Sequence, residues 1–116
     1  DKQLPFDMLG WFSMNLNRKP FNREHTLKLD NKPGIYTFYD EFGRPIYIGR
    51  TAGNGGKYGL KHRVTSYHQK DSFVEHPTKK ALRPEIAYFS AVVVDDKKTR
   101  RAMEKELKKG MKHNHY

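Results

Sequence analysis

The chain has 116 residues, the size of one domain with a single hydrophobic core. It contains no Cys and 13% aromatic residues, which excludes a disulfide framework, a thiolate metal site and an intrinsically disordered chain. Its 23 Lys and Arg against 13 Asp and Glu give a net charge of +10, which favours polyanionic partners because each neutralised phosphate releases condensed counterions.

A membrane partner is not expected. No apolar run approaches the roughly 20 residues that a membrane span needs, and no basic helix with a broad apolar face is evident. No signal peptide is visible, so we expect a cytoplasmic or nucleic-acid-associated location. The sequence begins at Asp1 rather than Met, so an upstream targeting segment is compatible with it.

The first 32 residues combine scattered apolar side chains with a basic, loop-like stretch from Asn17 to His25. We interpret residues 1–32 as an accessory segment, which either covers the sheet or adds ligand contacts. The domain proper is then 33–116.

A β-hairpin is predicted next. Residues 34–39 and 46–50 are rich in β-branched and aromatic side chains, and residues 40–45 between them have turn composition, with Gly43 available for positive φ.

The register of this hairpin decides whether its two tyrosines meet. If Asp40 pairs with Pro45, the numbers of paired residues sum to 85, and Tyr36 and Tyr47 share one face. A loop with an odd residue count would put them on opposite faces. We therefore predict a loop of two or four residues.

Two helices and a third strand complete the predicted domain. Leu60, Val64 and Tyr67 recur at helical spacing within 60–70, and residues 78–83 between two prolines suggest a short helix. A strand is predicted over 86–94 and a helix over 97–111, with Met103, Leu107 and Met111 as its apolar stripe. The order implies an α+β domain with a small three-stranded antiparallel sheet flanked by helices.

The motifs along the chain resemble those of the GIY-YIG endonuclease family and occur in the same order. Gly34-Ile35-Tyr36 and Tyr47-Ile48-Gly49 are similar to its signature pair, and Leu60-Lys-His-Arg63-Val-Thr-Ser-Tyr67 is similar to its L-x-x-R-V-x-x-Y helix, as in the amino-terminal nuclease domain of UvrC. Glu104 stands in the family's E-x-x-L setting, and Asn114 falls where the family often places a structural Asn. The ordered set spans 33–114.

The resemblance implies a metal-dependent endonuclease that hydrolyses phosphodiester bonds, with Mg²⁺ or Mn²⁺ as cofactor and DNA as the preferred substrate. It assigns the metal to Glu104. Periodicity alone leaves Glu106 open as the alternative, because the two carboxylates flank the apolar stripe on opposite sides. A hard cation keeps several waters, so one protein carboxylate can suffice.

Four further side chains are candidates for catalysis by the same resemblance. Arg63 would brace a phosphate, since its guanidinium is permanently charged and carries five donors. Tyr36 is the first choice for the base that activates water, and Tyr47 would position water or phosphate. Tyr67 would assist either role or complete the core.

Histidine and lysine add weaker candidates. His68 titrates near neutrality and is a candidate proton acceptor, although neighbouring helix residues point about 100° apart, so His68 and Tyr67 cannot both face one pocket. The spacing of the other histidines does not suggest a structural zinc site. Contacts with backbone phosphates are expected from Lys57, Lys61, Lys70 and Arg100.

Three alternatives remain open. The chain could be a non-catalytic nucleic-acid-binding module that keeps the fold, or an RNA-cleaving nuclease of the toxin type. It could also be a basic structural protein whose tripeptides are accidental, which the ordered placement of the motifs argues against.

Overall fold

The computed structural model describes residues 17–51, 59–68 and 77–109. Within these ranges none of the helices is long and apolar enough to cross a membrane. The strands are β1 (Lys19–Pro20), β2 (Gly34–Tyr39), β3 (Pro45–Arg50) and β4 (Tyr88–Val93). The α-helices are α1 (Arg23–Thr26), α2 (Leu60–Thr65), α3 (Pro77–Leu82) and α4 (Lys97–Lys109), and 3₁₀ turns follow α2 at Ser66–His68 and α3 at Arg83–Glu85.

The strands form one antiparallel sheet in the order β1-β4-β2-β3. The predicted α+β class is confirmed, and the three predicted strands are present. The expected strand count is one too low, because β1 from the leading segment pairs with β4 through Lys19 and Phe89. Two residues are too few to show an alternating pattern. The boundary at residue 32 stays a prediction.

The hairpin places Tyr36 and Tyr47 on one face of the sheet, as predicted, although its loop differs from the predicted one. Tyr36 pairs with Gly49 and Phe38 with Tyr47, so both pairs sum to 85 as expected. The expected pairing of Asp40 with Pro45 and the even loop are wrong. Asp40 N–H donates instead to the Arg44 carbonyl at 2.9 Å, which encloses a loop of odd length.

A bulge reverses the effect of the odd loop. Tyr39 pairs with Pro45, whereas Phe38 pairs with Tyr47, so Ile46 is the extra residue of β3. Gly43 has φ 79, which is the conformation that glycine tolerates best at the end of such a loop. The odd loop and the bulge each shift the register by one residue, and together they return both tyrosines to one face.

Helices cover both faces of the sheet. On the first face α2 buries Leu60, Val64 and the following Tyr67, as the helical spacing predicted. They pack against aromatic rings of β2 and β4. On the second face α4 buries Met103 and Leu107 against the isoleucines of the hairpin, Ile35 and Ile48. Met111 lies outside the described residues.

Arg100 corrects a prediction. It was expected to contact backbone phosphates, but it is fully buried in α4. Its Nη1 donates to the carbonyl oxygens of Val94 at 3.0 Å and Asp95 at 2.8 Å, where β4 leads into the helix. A guanidinium in this position satisfies backbone acceptors at a strand end and is out of reach of a substrate.

We expect Arg100→Ala to lower the free energy of unfolding by about 2–3 kcal/mol, because it leaves two carbonyl oxygens short of a donor and opens a cavity. Urea denaturation measures this. The exposed neighbour Arg101 is the matched control, and Arg101→Ala should stay within about 0.5 kcal/mol. Unchanged stability of Arg100→Ala, with weaker binding to nucleic acid, would restore the original expectation.

Candidate active site

Two glycines let the backbone and the first tyrosine come close together. A Cβ on Gly49 would collide with the ring and hydroxyl of Tyr36, its partner across the hairpin. A Cβ on Gly34 would collide with the backbone carbonyl of Val92 in β4. Glycine at 49 therefore makes room for Tyr36 to lie across β3, and glycine at 34 lets β2 approach β4.

Three tyrosines cluster on the α2 face of the sheet. The ring centroid of Tyr36 lies 6.4 Å from that of Tyr47 and 6.3 Å from that of Tyr67. Tyr67 shares side-chain hydrogen bonds with both of the others. The bond with Tyr36 raises the pKa of Tyr36, whereas the bond with Tyr67 lowers the pKa of Tyr47. The three hydroxyls therefore form one hydrogen-bonded chain from Tyr36 through Tyr67 to Tyr47.

The pocket holds all three phenols in their neutral form. Burial is the main cause in each case, since it disfavours the phenolate. It raises the pKa of Tyr36 well above 10, with further increases from Tyr67 and Tyr47. It raises the pKa of Tyr67 to about 12. The pKa of Tyr47 is also raised, first by burial and then by the negative charge of Glu104.

Arg63 places a positive charge beside this cluster. It projects from the last turn of α2, and its charge lowers the pKa of each of the three tyrosines. Its Nε is buried, and no hydrogen-bond partner for it lies among the described residues. A buried donor without an acceptor is costly, so the geometry suits an acceptor that arrives with a ligand.

Glu104 reaches the cluster from the other face of the sheet. Its Oε1 accepts from Arg50 Nε at 2.6 Å, and its Oε2 lies 3.1 Å from Lys108 Nζ. Its negative charge raises the pKa of Tyr47, whereas the positive charge of Arg63 lowers it. The alternative carboxylate, Glu106, pairs with Lys109 at 3.0 Å. Its side chain is 41% exposed, compared with 16% for Glu104.

Arg50 is a site residue that the sequence analysis missed. It directly follows Gly49 and ends β3, so its side chain alternates to the face opposite Tyr47 and meets Glu104 there. The available signal was a cation immediately after the second tripeptide. Its partner 54 positions later is not visible from local sequence.

His68 does not join the tyrosines. Its ring stacks on Phe21 with centroids 4.2 Å apart, and its Nε2 lies 3.1 Å from Thr26 Oγ1. Burial lowers its pKa, and the charges of Arg23 and Arg83 lower it further. The structure thus uses His68 to hold the segment around α1 against the turn after α2, and its expected catalytic role is not supported.

Of the other residues singled out from sequence, only Lys61 lies in the described part of the chain. Lys61 is half-buried in the first turn of α2, and its role at phosphates stays a prediction. Lys57, Lys70 and Asn114 lie outside the described residues.

The donor chemistry of the site fits a hard divalent cation held by few protein ligands. No cluster of three or more His, Asp or Glu side chains suited to a metal is found in the described parts of the chain. Glu104, to which the motif resemblance assigns the metal, would be the protein ligand, with water filling the remaining positions. Arg50 and Lys108 each occupy one side of its carboxylate, and since a carboxylate offers about four lone-pair directions, both contacts leave room for a cation.

Residues 32–115 match the family of UvrC-like GIY-YIG domains. The chain belongs to the GIY-YIG family. A relative, UvrABC system protein C from Acetivibrio thermocellus, is 36% identical over 73 residues, which are 63% of this chain. The chain spans 11% of the length of that relative.

The GIY-YIG fold is also evident from solved structures. The N-terminal endonuclease domain of UvrC from Thermotoga maritima, bound to magnesium as its catalytic divalent cation, has a TM-score of 0.64 and 23% identity. The match covers 81% of this chain and 93% of that one. A point mutant of that domain, also with its catalytic cation, has a TM-score of 0.62, 22% identity and the same two coverages.

We expect the stability of this GIY-YIG domain to fall as pH rises through 10–12. The folded state keeps Tyr67 protonated up to about 12, whereas the unfolded chain releases that proton near 10, so unfolding releases a proton in this window. The stabilisation is complete below pH 10 and is lost above it. Tyr67→Phe should reduce the slope of unfolding free energy against pH by about 1.4 kcal/mol per pH unit.

Urea denaturation at several pH values between 9 and 12 measures that slope. Tyr88→Phe is the matched control, since Tyr88 is exposed on β4. Equal slopes for the wild type and Tyr67→Phe would show that Tyr67 titrates like an exposed phenol.

Proposed function

We propose that the chain is a metal-dependent endonuclease that hydrolyses phosphodiester bonds in DNA. The observation that carries this proposal is the position of Tyr47, which lies 6.4 Å from Tyr36 between ring centroids, shares a hydrogen bond with Tyr67 and is subject to the opposite charges of Arg63 and Glu104. A phenol that interacts electrostatically with a guanidinium and a carboxylate brings together a proton acceptor, a phosphate donor and a ligand for a hard cation.

Hydrolysis needs water oxygen to attack phosphorus, one P–O ester bond to break and the leaving oxygen to gain a proton. Arg63 is placed to donate to the phosphate oxygens, and its unpartnered Nε becomes satisfied when it does. Mg²⁺ or Mn²⁺ on Glu104 would neutralise charge on the phosphate and lower the pKa of a bound water. Tyr47, as its phenolate, takes the proton of the attacking water, and solvent water supplies the proton that the leaving oxygen gains.

Tyr47 is better suited to this base role than Tyr36, the first choice from sequence. Tyr36 is 5% exposed, and its bond with Tyr67 stabilises the protonated form. Tyr47 is half-buried, and the bond from Tyr67 stabilises its phenolate. We therefore assign Tyr36 the role of orienting Tyr67, and through it Tyr47.

DNA is favoured over RNA by membership of the UvrC-like family, and nucleic acid in general by the charge of +10. We expect the protein to be located with its nucleic-acid substrate. A non-catalytic binding module would not need the combination of Arg63 and Glu104 beside Tyr47, so the enzyme is the better reading of the site.

Glu104→Gln should reduce plasmid cleavage in Mg²⁺ by roughly 10³-fold, because the amide keeps the shape of the side chain and removes its charge from the cation. Glu106→Gln is the matched control on the same helix and should cleave normally. EDTA should abolish cleavage by the wild type.

Calorimetric titration with Mn²⁺ gives a readout that does not depend on cleavage, and Glu104→Gln should bind the ion more weakly than Glu106→Gln does. The proposal is refuted if Glu104→Gln cleaves and binds Mn²⁺ as the wild type does. Wild-type protein that cuts neither DNA nor RNA would favour the binding module.

Tyr47→Phe should lower the cleavage rate by about 10²–10⁴-fold, the usual contribution of a positioned base. The rate of the wild type should rise with pH between 7 and 9, close to tenfold per unit, because the phenolate fraction of a raised pKa grows with pH. Single-turnover rates across this range measure both effects. In Tyr47→Phe the rise should disappear, and its persistence would assign the base elsewhere.

A further inference from the structure

Lys79 lies beside the tyrosine cluster on an element that carries none of the family motifs. It projects from α3, and its Nζ lies 4.7 Å from the centroid of the Tyr67 ring. Nζ donates to Ser66 Oγ at 2.8 Å, and Ser66 Oγ in turn donates to the carbonyl of Arg63 at 2.6 Å. One hydrogen bond and one cation–π contact thus fix the ammonium beside Ser66, whose hydroxyl is bonded to the backbone of Arg63.

The two cations are close enough to repel each other. Burial lowers the pKa of Lys79, and the charge of Arg63 lowers it further. In the described parts of the chain no carboxylate lies within 4.0 Å of either group, since the ion pairs found there are Arg44–Asp40, Arg50–Glu104, Lys108–Glu104 and Lys109–Glu106. Like charges held together in a partly desolvated place are unfavourable until an anion enters between them.

The position of Lys79 indicates a use for the unfavourable pair that it forms with Arg63. Lys79 could extend into water, as its exposed neighbour Lys80 does, but it is half-buried over an aromatic ring. Arg63, whose charge acts on the same Tyr67, has a buried Nε that is short of an acceptor in the described residues. A polyanion with oxygen acceptors offsets the repulsion between the two cations and also gives the Arg63 Nε an acceptor.

We propose that Lys79 and Arg63 form a two-point clamp for the phosphate backbone of the substrate, with Lys79 as a positioning residue. Arg63 contacts the phosphate that is cut, and Lys79 contacts an oxygen of the same or an adjacent phosphate. The proposal rests on the proposed function for the identity of the substrate. It singles out Lys79 from the basic side chains whose charge alone would suit phosphates, and none of the family motifs includes it.

Binding of a short DNA duplex in EDTA tests the clamp without requiring cleavage. Fluorescence anisotropy across a salt series gives both the affinity and its salt dependence. Lys79→Gln should bind about tenfold more weakly at low salt, and the slope of log K against log salt should shrink by nearly one, as for the loss of one phosphate contact. Lys80→Gln, which removes the same charge from the adjacent exposed position, is the matched control and should change both quantities less.

A second variant separates the position of the ammonium from its charge. Ser66→Ala keeps the charge of Lys79 but removes the hydrogen bond that fixes it, so it should weaken binding by a smaller factor than Lys79→Gln. Melting temperatures establish that each variant is folded. Single-turnover cleavage by Lys79→Gln should show a raised half-saturating enzyme concentration with a smaller change in the saturated rate.

The outcomes separate this proposal from that of the enzyme. Equal losses for Lys79→Gln and Lys80→Gln would assign the effect to general charge and overturn the clamp. Wild-type affinity in Lys79→Gln would overturn it too, as would a wild type that binds no duplex at low salt. Selective loss in Lys79→Gln, with a wild type that binds but does not cut, would support the clamp and refute the enzyme.

Discussion

The close approach of Tyr36 to Gly49 is the contact on which the site depends. Because position 49 has no Cβ, the Tyr36 ring can lie across β3. Its hydroxyl then meets Tyr67, which also reaches Tyr47. The two tripeptides are therefore one structural unit: the glycine of the second makes the space that the tyrosine of the first occupies. A side chain at 49 would move the whole set of hydrogen bonds.

The edge position of β3 explains how charges from both faces of the sheet act on one hydroxyl. Arg63 comes from the helix on the first face, and Glu104 comes from the helix on the second. A central strand would be flanked by neighbours on both sides and would separate the two. Among the described residues β3 is the last strand of the order β1-β4-β2-β3, and the charge of Glu104 acts on Tyr47 while Arg50 is bonded to its carboxylate.

Local patterns predicted what depends on periodicity, and failed where separate segments meet. The helical spacing of Leu60, Val64 and Tyr67 predicted that all three are buried, since side chains on one apolar helix face all turn toward the sheet. The hairpin register was right although its loop was wrong, because the hydrophobic alternation that both tyrosines follow outweighs the turn. The bulge at Ile46 supplies the missing residue. The partner of Arg50 and the stacking of His68 on Phe21 join segments that no local pattern connects.

The two arginines on the helices show why residue type alone does not predict a role. Arg100 and Arg63 each lie in a predicted helix, and from sequence both were expected to contact phosphates. Arg100 finds carbonyl oxygens at the end of β4, so its charge-assisted bonds are made within the fold. The charge of Arg63 lowers the pKa of three phenols, and its buried Nε finds no acceptor in the described residues. The Nε of Arg100 is also buried without an acceptor in the described residues, so the distinction rests on the Nη1 bonds of Arg100 to the backbone and on the phenols beside Arg63, which only tertiary structure shows.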